Sequence, residues 1–289
     1  MILSEHRISG TGTPVTICPI GDIQWNGDRH DIAYDHLQEH IAKCLKLPNP
    51  LFIGMGDYID FVSPTNRAAL AAAALYDGAR KSISDKALDL TLECYGKILK
   101  PTKGKWLGLL SGHHFFPLRT GGNTDIRLAE MLDCPYFDEG IAIVHLQWTN
   151  KTRMHALNLW ARHGMGYGKK AAVVSYKLED IANYWEGIDV YLMGHFTKKS
   201  HASFDRPYPV FANRKAWLDH KTIHLVGTGG WSKGYVEAIE PKKNVITYVE
   251  RAGLSPVALG APILNVRPTY RLSTKRGEKI WSPGITVEL

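Results

Sequence analysis

Five short apolar runs in this chain break off into carboxylate or imidazole side chains. Asp22 lies in Gly21-Asp22-Ile23-Gln24, Asp57 and Asp60 in Gly56-Asp57-Tyr58-Ile59-Asp60, and His113 and His114 follow Gly112; His163 precedes Gly164, and His195 follows Gly194. Imidazole nitrogen mixed with carboxylate oxygen suits Mn, Fe, Zn, Co or Ni better than Ca or Mg. Two such ions, about 3.5–4 Å apart, supply what phosphate-ester hydrolysis needs at neutral pH: a water of lowered pKa and a clamp on the phosphoryl oxygens. One carboxylate must then bridge the ions, and Asp57 is placed for it.

Each run before a break (Val15 to Ile20, Leu51 to Met55, Trp106 to Leu110, Leu157 to Trp160, Val190 to Met193) has the length and apolarity of a buried strand. Strand ends fix the backbone while the following loop exposes polar groups. Between the runs, helical spacing predicts helices over Asp28 to Leu45, Asn66 to Arg80, Ser84 to Leu99 and Ala171 to Trp185. The pair from Asn66 to Leu99 reads as a helical hairpin, packed on the sheet or serving as a lid. Gly140 to Trp148 and Met154 to Trp160 read as a strand hairpin. Beyond His195 the chain reads as irregular, then as strands over Thr222 to Val226 and Asn244 to Glu250. The expected organisation is one α/β domain over residues 1–250, with 251–289 as terminal strands and an extended tail packed on it.

With 289 residues, 44% of them hydrophobic and 22% charged, the chain can bury a full core. No run reaches the roughly 18 to 20 apolar residues of a membrane span, and Met1 to His6 lacks the charge-then-apolar order of a leader, so a cytoplasmic protein without membrane partners is expected. Cys18, Cys44, Cys94 and Cys134 lie far apart with no CxxC pair and read as free thiols. Lys plus Arg number 35 against 28 Asp plus Glu, a net charge of +7 that suits a polyanionic substrate. Lys169 and Lys198, each with a lysine neighbour, follow His163 and His195 and would draw phosphate to the site. The Gly164 to Lys170 stretch lacks P-loop spacing and reads as a glycine-rich turn.

Taken together, "IGD", "GMGDYID", "LGLLSGHH", "RHGMGYGKK", "YLMGH" and "GTGGWSKGYV" resemble the calcineurin-like metallophosphoesterases, nearest to their phage- and prophage-encoded branch, over about residues 14 to 240. That resemblance implies a four-layer αββα sandwich and a metal-dependent phosphodiesterase acting on nucleotides or nucleic acid, with Mn as the expected ion. It makes Asp57 the bridge, places Asp22 and Gln24 on a first metal and His113, His163 and His195 on a second, and makes His114 the general acid. Asp60 takes the last position of GDxxD, as a supporting carboxylate.

Three departures from the family pattern fall at ligand positions. Gln24 replaces the His of DxH, Thr197 the second His of GHxH, and His113 the Asn of GNH[DE]. Gln and Thr offer neutral oxygens only, so the first site should be weaker, while Asp57 with three His could hold one ion firmly. His201 is a further imidazole that could replace the one lost at position 197. Phosphomonoester or nucleotide pyrophosphate cleavage, and a degenerate fold that binds without turnover, are the alternatives.

Overall fold

The computed structural model describes residues 1–8, 13–149, 154–166, 168, 170, 172–212, 215–235, 248–251, 253, 255–272 and 279–289. Its strands are β1 (Ile2–Ile8), β2 (Val15–Ile20), β3 (Pro50–Gly54), β4 (Trp106–Leu110), β5 (Tyr136–Asp138), β6 (Ala142–Thr149), β7 (Met154–Arg162), β8 (Val190–Met193), β9 (Lys199–Ala212), β10 (Lys215–Thr228), β11 (Ile263–Leu272) and β12 (Lys279–Glu288). Its helices are α1 (Tyr34–Leu45), α2 (Pro64–Ala72), α3 (Asp77–Cys94), α4 (Thr124–Leu132), α5 (Val173–Ala182) and the short α6 (Tyr248–Arg251). They build an α/β sandwich of two mixed six-stranded sheets, ordered β1-β6-β7-β8-β10-β9 and β12-β11-β2-β3-β4-β5.

The runs that read as buried strands lie at the centres of these sheets. Every residue of β2, β4 and β8 is buried, as expected for strands covered on both faces. One face of each sheet meets the other in a shared core that includes Ile17, Ile53 and Leu264 from one sheet and Val144, Leu159 and Leu192 from its partner. Outside, Leu37, Leu90 and Leu128 of α1, α3 and α4 cover β2 to β4, while Val174 and Leu178 of α5 cover β7, β8 and β10. The strands β2, β3 and β4 run parallel, as do β7, β8 and β10, so their carboxyl ends gather at the same edge within each sheet.

Several boundaries differ from the sequence reading. The first predicted helix starts at Tyr34 rather than Asp28, because side chains tie the preceding loop: the Asp28 N–H donates to Asn26 Oδ1 at 2.8 Å and the His30 N–H to Asp28 Oδ1 at 2.8 Å. In the helical hairpin the break falls at 73–76 rather than 81–83, and α3 runs on as a π turn over Tyr95–Leu99. The segment after His195 is not irregular: β9 and β10 form a long antiparallel ribbon. Its first strand carries Pro207 and Pro209, tolerable because it is the sheet edge. Where a strand was expected to reach Glu250, Tyr248–Arg251 is helical; the earlier part of that expectation lies outside the described residues. The terminal strands β11 and β12 pair with each other, and β11 joins β2 antiparallel. Free thiols are found at all four cysteines, and no described helix is long and apolar enough to cross a membrane.

Candidate metal centre

Asp57, His113, His163 and His195 come together at the strand ends, each offering a ligand atom within 4.8 Å of the others. Asp57 follows β3, His113 follows β4, His163 follows β7 and His195 follows β8, so both sheets contribute. Such a group of one carboxylate and three imidazoles could hold a metal ion.

The tautomers are set from behind. His163 Nδ1 lies 2.6 Å from the Met55 carbonyl oxygen, which can only accept, so Nδ1 carries the hydrogen and Nε2 is free to face Asp57. His195 Nε2 is fixed in the same way by the Gly166 carbonyl at 2.9 Å, leaving Nδ1 bare toward the cluster. That bare Nδ1 lies 3.2 Å from His113 Nδ1. Nε2 of His163 lies 3.2 Å from Asp57 Oδ2 without hydrogen-bond alignment, an arrangement that suits two atoms sharing a third partner. The other oxygen, Asp57 Oδ1, accepts from the N–H groups of His113 at 2.5 Å and His114 at 3.1 Å.

Close approach there requires Gly112, because a Cβ at that position would stand 2.0 Å from Asp57 Oδ1. The neighbouring backbone is forced as well. Asp22, Gln24, Asp57, His195 and Thr197 all have left-handed φ, between 47° and 66°, which non-glycine residues adopt at a cost of about 1 kcal/mol or more each. Strain of this kind collects where side chains must point to one place.

The buried ionisable groups of the site shift one another strongly. Burial opposes ionisation of Asp57, yet His163, His114 and the His113 N–H outweigh it and hold the carboxyl well below its usual range. Burial also opposes charge on His163, but Asp57 and Asp22 raise its pKa to about 9. Asp22 is pushed up to about 7 by burial, against the pull of His163 and with the added repulsion of Asp57. Its Oδ2 accepts from the His195 N–H at 3.0 Å, while Oδ1 is buried with no hydrogen-bond partner among the described residues. An orphaned carboxylate oxygen beside such a cluster fits a missing positive partner.

Asp22 lies outside the four-residue group, and Gln24 is engaged elsewhere: its Oε1 accepts from Ser232 Oγ at 2.5 Å. Beside the cluster, His114 Nδ1 lies 2.9 Å from Asp60 Oδ1, and Nε2 has no hydrogen-bond partner among the described residues. Burial lowers the affinity of His114 for a proton, but Asp60 and Asp57 reverse this and raise its pKa overall. Lys198 is turned to the protein, donating to the carbonyls of Gly168 at 2.8 Å and Lys170 at 3.0 Å; Lys169 lies outside the described residues. His201 stacks on His224 and takes no part in the cluster.

Four neighbours escaped the sequence reading. Ser232 reaches Gln24 across 208 residues, and Arg67 donates to the carbonyls of His113 and Phe115. Ser111 donates to the buried Asp125 carboxylate at 2.8 Å. Ser232 lies within the "GTGGWSKGYV" stretch and Ser111 within "LGLLSGHH", while Arg67 and Asp125 carry no spacing signal. Compared with known proteins, the chain matches no family model, no curated protein and no solved structure.

Proposed function

We propose that this chain is a metal-dependent phosphoesterase of the calcineurin-like type, acting on phosphodiester bonds in nucleotides or nucleic acid. The observation that carries the reading is the convergence of the strand-end residues on one ligand set, Asp57, His113, His163 and His195, with the His114–Asp60 pair beside it. A bound divalent transition ion, Mn by preference, would supply Lewis acidity toward the phosphoryl oxygens and a water made nucleophilic near neutral pH.

The protein's part is to hold, orient and move protons. Carbonyls of Met55 and Gly166 keep two imidazoles in the ligating tautomer. Asp60 aims His114 and favours its charged form, so that its Nε2 hydrogen can pass to the leaving oxygen. Asp22 and Gln24 would serve a second, weaker position, since Gln24 offers a neutral oxygen that already accepts from Ser232. Excess positive charge favours a polyanionic substrate.

Hydrolysis of bis(p-nitrophenyl) phosphate by metal-stripped protein titrated with Mn²⁺ tests the reading, with Asp57→Asn as background. Turnover that needs Mn²⁺ and is absent from the variant is expected. Metal-bound protein inert toward this diester and toward p-nitrophenyl phosphate would overturn it.

A further inference from the structure

Helix α2 has nine residues and none of them is buried. An isolated helix under about 12 residues is marginal in water, so α2 needs an anchor. Ser63 caps it, accepting from the Asn66 N–H at 3.1 Å, and Pro64 starts it, but both devices are local. Arg67 supplies a long-range tie. Its Nη1 donates to the His113 carbonyl at 2.9 Å and to the Phe115 carbonyl at 2.8 Å, and its guanidinium lies 4.0 Å over the Phe115 ring. Those two carbonyls bracket His114. A single nitrogen therefore fixes the loop that carries both a cluster imidazole and the proposed acid.

We propose that Arg67 is a positioning residue that couples the order of α2 to the metal centre. The inference rests on the metal-centre reading of Asp57, His113, His163 and His195. Filling the centre fixes His113, which fixes the carbonyls that Arg67 grips, which holds α2. Thermodynamic linkage makes the effect reciprocal: releasing Arg67 must weaken the metal by the factor that the metal strengthens α2.

The test combines Mn²⁺ titration with hydrogen exchange over residues 64–72, in wild type, Arg67→Met and Arg67→Lys. In wild type, Mn²⁺ slows exchange in α2. Arg67→Met keeps the stem but no donor; it should bind Mn²⁺ roughly 10-fold more weakly, the effect usual for groups that orient ligands, and its α2 should no longer respond to the metal. Arg67→Lys should restore much of both effects, since an ammonium can also donate to two carbonyls. If wild type binds Mn²⁺ while exchange in α2 stays unchanged, or if Arg67→Met binds and responds like wild type, the coupling is overturned and the metal centre stands. Failure of wild type to bind Mn²⁺ at all would overturn the metal centre and the coupling with it.

Discussion

Asp57 has two tasks that only a carboxylate of fixed orientation can combine. Oδ1 collects the N–H groups of His113 and His114, and Oδ2 is thereby turned toward His163. His114 stands apart from the four candidate ligands, tied to Asp60 instead. The proposed separation of roles predicts separate phenotypes: His114→Ala should keep the metal affinity of wild type and lose roughly 100-fold or more in kcat, the usual loss for a general acid. Metal titration and steady-state kinetics on the same preparation check this, and loss of metal would show that His114 is a ligand. The residues that face the cluster could be read from the sequence because apolar runs announced them. Those that hold them could not: Arg67 and the carbonyls of Met55 and Gly166 arrive from distant segments, and a backbone carbonyl has no sequence signature. Lys198, expected near the substrate, donates to the carbonyls of Gly168 and Lys170, an arrangement that a Lys-Lys pair does not disclose.

Among the elements, β2, β3, β4, β7 and β8 were readable because burial on two faces demands continuous apolar residues. Strand β1 was missed, since it alternates and places Ser4 and His6 on its inward side between Ile2 and Ile8. The ribbon strand β9 hid behind polar residues and prolines that only an edge position permits. Helix α4 also went unread, although Asn123 caps it by accepting from the Ile126 N–H at 2.8 Å. Asp125 in its first turn is buried beside Ser111, and burial, with Asp57 adding to it, pushes its carboxyl up to about 6. A carboxyl that holds its proton more tightly when folded stabilises the fold at low pH, and that contribution is lost as pH rises from about 4 toward 6. A shift of this size corresponds to roughly 3 kcal/mol. Denaturant unfolding across that range should show wild type losing stability relative to Asp125→Asn; a pH-independent difference would mean that Asp125 does not titrate there.

For the molecule as a whole, the centre exists only when the two sheets are packed. Asp57 and His113 leave one sheet and His163 and His195 the other, so the unfolded chain offers no such site. A metal that binds only the folded form must stabilise it, by about 2.7 kcal/mol at 100 times its Kd. Thermal unfolding should therefore move to higher Tm with added Mn²⁺ and return on chelation; a Tm indifferent to saturating metal would contradict a site shared between sheets. The closing strands β11 and β12 seat the sheet edge next to β2, and the sequence disclosed them only as extended segments without a partner.

Equilibrium titration of metal-stripped protein with Mn²⁺, wild type against Asp57→Asn, tests the central claim most directly. One ion held firmly per wild-type chain, and none by a variant that remains folded, is the predicted result. Binding that survives in Asp57→Asn, or no binding in wild type, would show that the cluster at the strand ends is not a metal centre.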